Sequence, residues 1–145
     1  MSDEENSCCF YCGDWFQCRD HFIPVSYLRI KRDYRAGETV KSCTICNLLL
    51  SDKMFSSMEE RSGYLLRTYL HKYKKLLRLP HWEEDEIDAL DYSLRTLIEC
   101  KQYAKQIMKA KISNLEVTSN GQSPIPLAYT YNPAGLLSVA RLYVE

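Results

Sequence analysis

Two close cysteine pairs, Cys9-x-x-Cys12 and Cys43-x-x-Cys46, constrain this chain more than any other feature, and thirty residues separate them. A two-residue gap lets both sulfurs of a pair reach one ion, and two pairs complete a tetrahedron of four thiolates. Gly13, directly after the first pair, suits the tight backbone turn of such a knuckle. The spacing predicts a Zn²⁺ site made by Cys9, Cys12, Cys43 and Cys46. Two alternatives compete for a place in it: Cys8 could stand in for Cys9, and Cys18-x-x-His21 has a ligand-like spacing of its own. A closed four-cysteine site leaves no position for water or substrate, so this zinc would be structural.

The remaining composition narrows the class. Seven cysteines, an odd number, behind the acidic, polar start "MSDEENS" favour metal ligation in a reducing compartment over a disulfide framework. The expectation is therefore an intracellular, cytoplasmic protein. No apolar run approaches the ~18–20 residues that cross a bilayer, so no membrane partner is expected. With 19 basic and 19 acidic side chains the formal net charge is zero, and any basic binding face must be local.

Three segments follow along the 145 residues. Residues 1–55 hold six of the seven cysteines. "RDHFIPVS", 19–26, predicts a short strand running into a loop; "ETVKSC", 38–43, a second strand; and "TICNLLLSDK", 44–53, a short helix. Residues 56–112 are helical in pattern. Ser57-Met-Glu-Glu60 predicts a capping box, Leu66, Tyr69, Leu70, Tyr73 and Leu77 recur at helical spacing, and Pro80 ends the run. A second helix is expected from Trp82, with acids early and lysines late. Its stripe is Ile87, Leu90, Leu94, Leu97, Ile98, Ala104, Met108 and Ile112, and Cys100 is expected to be a buried thiol. The two helices should pack antiparallel. The six Lys/Arg between Arg61 and Arg78 predict a solvated face with secondary value as a phosphate contact. Residues 113–145, with Gly121, Pro124, Pro126, Pro133 and Gly135, suggest a loop-rich tail. The fold class expected is α+β.

Set in order, "CFYCG…DHFIP…VKSCTICN…SDK" resembles the zinc-stapled HNH endonucleases, whose pattern runs CxxCG, DH-(I/V)-(I/V)-P, then CxxCN followed by lysine. It is also similar to the phage recombination endonuclease VII group, which shares a DH and a CxxC leading directly into Asn. The resemblance covers residues 9–53, about a third of the chain. It implies a treble-clef, ββα-metal core, a helical extension packed upon it, and metal-dependent hydrolysis of DNA phosphodiester bonds. The roles it carries over are a general base for His21 and a Mg²⁺ or Mn²⁺ site for Asp20 and Asn47. One departure stands out: Glu38 occupies the place of the family's middle asparagine, which braces the loop after the DH strand.

The chemistry of these side chains agrees with those roles. A neutral imidazole can take a proton from water near pH 7, while carboxylate and carboxamide oxygens suit Mg²⁺ or Mn²⁺ better than zinc. Adjacent strand residues point to opposite faces, so Asp20 and His21 can share a site only where the backbone bends. The competing reading has His21 and Asn47 merely bonding the knuckle turns. The loop "YLRIKRDYRAG" interleaves Arg29, Lys31, Arg32 and Arg35 with Tyr27 and Tyr34, a combination suited to phosphates and unpaired bases. Lys41 and Lys53 would add phosphate contacts. The partner expected is nucleic acid, DNA first, with a homodimer as the means of cutting both strands. Two further readings remain: a non-catalytic treble clef binding nucleic acid or protein, and a zinc staple for a helical interaction protein.

Overall fold

The computed structural model describes residues 8–15, 17–22 and 39–127. Outside them lie Arg29, Lys31, Arg32 and Arg35 of the proposed basic loop, Glu38, and the tail beyond Leu127.

The chain is mixed α and β. β1 (Cys18–His21) pairs antiparallel with β2 (Thr39–Ser42), and Asp20 stands opposite Val40, His21 opposite Thr39. α1 (Thr44–Leu50) follows at once, with Cys43 as its N-cap. The strand–strand–helix order expected from the sequence is thus observed, and α1 packs back on β1.

Next come α2 (Met58–Lys72), α3 (Lys74–Leu77), α4 (Glu84–Asp88) and α5 (Tyr92–Ser119). Ser57 caps α2 by accepting from the Glu60 amide, but the Glu60 carboxylate turns to the amide of Ser56 (2.8 Å) and to its hydroxyl, so the box closes one residue early. The first helix breaks at Tyr73, short of the continuous run to Leu77. The second does not begin at Trp82. A separate short turn, α4, carries its own capping box between Glu83 and Glu86, and Asp91 then caps α5 through the Leu94 amide at 2.9 Å. The starts of α4 and α5 coincide with side chains, Glu83 and Asp91, that accept from free helix amides, whereas the break at Tyr73 has no side-chain cap.

α2 and α5 form the antiparallel pair. Gly121 lies beside Glu59, Lys111 over Tyr69, and Lys105 donates to the Leu79 carbonyl at 2.5 Å, so one helix ascends as the other descends. α5 also runs on to Ser119, through residues expected to be loop. Nothing between Ser113 and Ser119 breaks a helix, and Asn114, Leu115 and Thr118 are buried against the first knuckle. From there the chain turns at Gly121 (φ +80°) and comes back, the Leu127 amide donating to the Gly13 carbonyl at 3.0 Å.

One core unites all of this. Cys9, Tyr11, Cys12, Cys43, Cys46 and Leu50 pack with Leu65 and Tyr69 of α2 and with Ala104, Met108 and Leu115 of α5. Cys100 is buried, as expected. By contrast Leu94 and Leu97, placed in the buried stripe by periodicity, are 42% and 40% exposed. They flank a surface groove of about 250 Å³ with Leu79, Trp82 and Ile98. Among the described residues no helix is long and apolar enough to cross a membrane.

Candidate metal centre and the His21 site

The first knuckle is a tight turn closed by the Gly13 amide on the Cys9 carbonyl at 3.0 Å. Gly13 is required there twice over. Its φ of +79° lies in the left-handed region, and an added Cβ would meet the Ile125 carbonyl at 2.6 Å and the Asn114 amide. Asn114 of α5 staples this turn from outside, donating to the carbonyls of Cys12 (2.9 Å) and Ile125 (2.7 Å) and accepting from the Ile125 amide (2.8 Å). The second knuckle is built into a helix start: Cys43 Sγ accepts from the Cys46 amide at 3.4 Å.

The two knuckles bring four sulfurs together. Cys9, Cys12, Cys43 and Cys46 are all buried and their sulfurs lie within 4.8 Å of one another. Cys12 and Cys43 Sγ are 3.6 Å apart. Four sulfurs tetrahedrally placed about 2.3 Å from one zinc would be about 3.8 Å apart, so the donor set fits such an ion with little adjustment. Its protonation chemistry points the same way. Burial pushes the Cys12 and Cys46 thiols well up, whereas Cys9, despite its burial, is held down by hydrogen bonds from Cys12, Cys43 and Cys46. Cys43 is held down by Cys12 and Cys46. A divalent cation removes this frustration by stabilising all four thiolates at once. The cluster is one that can hold a metal ion such as zinc. The alternatives fall away: Cys8 is outside it, Cys18 donates to the Ser42 carbonyl at 3.3 Å, and His21 is not among the grouped donors.

Two side chains surround the sulfurs. The Tyr69 hydroxyl lies 3.2 Å from Cys46 Sγ. The Lys111 ammonium, fully buried, sits 5.2 Å over the Tyr69 ring and 3.5 Å from Asp14 Oδ2. Burial disfavours the charged form of Lys111, yet the negative charges of Cys12, Cys43, Asp14 and Cys46 raise its pKa above the ordinary value.

Asp20 occupies a second buried polar cluster. It is only 3% exposed and ion-paired to Arg61, which is 1% exposed. Tyr11 donates to Asp20 Oδ2 at 2.5 Å and receives the Arg61 Nε–H at 3.0 Å. Arg61 also donates from Nη1 to the Phe22 carbonyl at 3.1 Å. The guanidinium lies 5.5–5.9 Å from the ring centres of Tyr11, Phe22 and Phe55. Burial, then the bond to Asp20, pushes the Tyr11 phenol far up. Arg61 was expected on the solvated basic face; the structure puts it in the interior, and Arg67, Lys72, Lys74, Lys75 and Arg78 keep to the surface.

His21, the residue between these clamped positions, is half-buried, and its ring has no hydrogen-bond partner among the described residues; the chain bends at Phe22 directly after it. Asn47 is half-buried on α1, and its carboxamide likewise has no partner among the described residues. Lys53 is exposed, 5.5 Å from the Tyr64 ring, and Lys41 is half-buried on β2. Sequence reasoning missed Arg61, Tyr11, Lys111 and Tyr69 as parts of these two sites. No family model, curated protein or solved structure matches the chain.

Proposed function

We propose that this chain is a small phosphodiester hydrolase of the HNH type, with a structural zinc on Cys9, Cys12, Cys43 and Cys46. The observation that carries the reading is the treatment of His21. Arg61 grips Asp20 Oδ2 on one side of it and the Phe22 carbonyl on the other, yet the imidazole itself has no hydrogen-bond partner among the described residues. A ring on a fixed backbone with a free nitrogen is what a general base for water needs. Both described bonds to Asp20 fall on Oδ2, which leaves Oδ1 for another partner. In this reading Arg61 and Tyr11 orient the carboxylate as outer partners orient metal-binding acids. Asp20 and Asn47 would hold a Mg²⁺ or Mn²⁺ ion, which supplies charge stabilisation at the phosphate and leaving oxygen. DNA is the first substrate, with the exposed cations of α2 and α3 and Lys53 available to its backbone.

A second reading has its own support. Asp20 is so completely enclosed by Arg61 and Tyr11 that it also suits a purely structural acid, and the module would then bind nucleic acid or a protein without cutting. One experiment separates the two. Plasmid, single-stranded, branched and RNA substrates are incubated with Mg²⁺ or Mn²⁺ and wild-type protein or His21→Ala. Cleavage lost at least 100-fold in the variant is expected, since a positioned base contributes about 10²–10⁴-fold. Wild type and variant equally inert on every substrate, with binding retained by both, would establish the binding module.

A further inference from the structure

α5 carries a buried ammonium without a hydrogen-bond acceptor among the described residues. Lys111 is fully buried, and its Nζ has no hydrogen-bond partner among the described residues. Asp14 at 3.5 Å is an ion pair at long range, and Asp14 has a bond to the Trp15 amide (2.7 Å) besides. Lysine is almost never fully buried unless paired, and with Asp14 shared with the Trp15 amide a further source of negative charge would help to hold it.

The geometry indicates where that charge lies. Lys111 covers one face of the Tyr69 ring, and the hydroxyl of that ring reaches Cys46 Sγ. Three residues further along α5, on the same side of the helix, Asn114 holds the Cys12 carbonyl. The lysine is thus bracketed by contacts to one cysteine of each knuckle. Four thiolates around a divalent cation carry a net charge of minus two, in a site that water does not reach.

We propose that Lys111 is the resident counter-charge of the metal–thiolate centre, and that with the Tyr69 hydroxyl it forms an outer sphere that sets how tightly the metal is held. This rests on reading the four cysteines as a metal site, and is independent of whether the protein cuts nucleic acid. Lys111 offsets part of the thiolate charge, and Tyr69 donates to one sulfur, which stabilises the ionised form of that ligand.

The test is metal affinity in the full chain, by zinc competition with a chromogenic chelator and by the absorption of bound Co²⁺. Lys111→Met keeps the length and removes the charge; it should weaken zinc binding about 10–100-fold, the usual consequence of losing an outer-sphere partner. Lys111→Arg should recover most of that loss, and Tyr69→Phe should lose less than Lys111→Met. Should Lys111→Met fail to fold, Asp14→Asn carries the test. With the competing carboxylate neutral, the ammonium serves the sulfurs alone, and zinc should bind as tightly as in wild type or more so. Lys111→Met within twofold of wild type, Lys111→Arg as weak as Lys111→Met, or Asp14→Asn clearly weakened would each overturn the proposal. A wild-type chain binding neither zinc nor cobalt would overturn the metal reading beneath it.

Discussion

The two charged clusters buried in this chain meet the same difficulty in different ways. Asp20, Arg61 and Tyr11 close on one another: the guanidinium spends its donors on a carboxylate, a phenol and a carbonyl, and the centres of three aromatic rings lie 5.5–5.9 Å from it. The cysteines and Lys111 do not close. Four sulfurs meet within 4.8 Å, and the nearby ammonium has an ion pair with Asp14 at 3.5 Å but no hydrogen-bond acceptor among the described residues. One cluster pairs its charges within the protein; the other is a donor set that can hold a cation. The first therefore ties the end of β1 to α2 through protein groups alone, whereas the second would tie the fold to metal supply if an ion is bound there.

Metal removal is the strongest way to break that comparison. Structural zinc contributes an apparent 10–16 kcal/mol of binding free energy at pH 7, as large as the whole stability of an ordinary domain, about 5–15 kcal/mol. The sulfurs share one core with Leu65, Tyr69, Met108 and Leu115, so the loss should spread into the helix pair. A strong chelator should abolish the cooperative thermal transition seen by circular dichroism, and zinc should restore it. Superimposable melts with and without chelator would mean that the sulfur cluster, like the Asp20 cluster, needs no cation.

Opening the self-contained cluster should have the next largest effect. Arg61→Met leaves the buried Asp20 carboxylate unpaired, which costs about 3–5 kcal/mol for a broken interior ion pair. Arg61→Lys should recover only part, because an ammonium cannot match three fixed donors. Neutralising the stranded acid as well, in Arg61→Met/Asp20→Asn, should return more than Arg61→Lys does. Urea unfolding of the zinc-loaded protein checks all three. The same variants should keep zinc affinity within twofold, since the clusters are separately satisfied; a parallel loss would show them to be one network.

Sequence legibility follows the same division. The knuckles could be read because ligand spacing is local chemistry, and the strand–strand–helix order followed from where they must sit. Helix existence was equally open to reading, but helix ends were not. Glu83 and Asp91 start helices through capping that competes with the apolar period, and the break at Tyr73 has no side-chain cap to mark it. The hardest features were the two interior charges. Composition places Arg61 with the solvated cations of the first helix and Lys111 with the late lysines of the second. Their register said otherwise: Arg61, Leu65, Tyr69 and Tyr73 follow one another at four-residue steps along the buried side of α2. Ala104, Met108, Lys111 and Leu115 do the same on α5 at steps of four, three and four. A charge falling on an apolar stripe was the available signal. What it was paired with depended on contacts across the chain, from residue 20 to 61 and from 14 to 111, and no local pattern encodes those.

The smallest expected effect is also the most discriminating one for function. His21 lies between two positions held by Arg61, but contributes no described bond to that cluster. Replacing a half-buried, unbonded side chain away from core, cap or ion pair usually alters stability by no more than about 0.5 kcal/mol. His21→Ala should therefore melt like wild type while any cleavage of nucleic acid disappears. A residue that the fold can lose cheaply and the activity cannot is one held for its chemistry. If His21→Ala instead loses 2 kcal/mol or more in urea, about the cost of orphaning a buried polar group, the imidazole belongs to the framework beside Asp20. The base would then have to be sought elsewhere, and the binding-module reading would gain the ground.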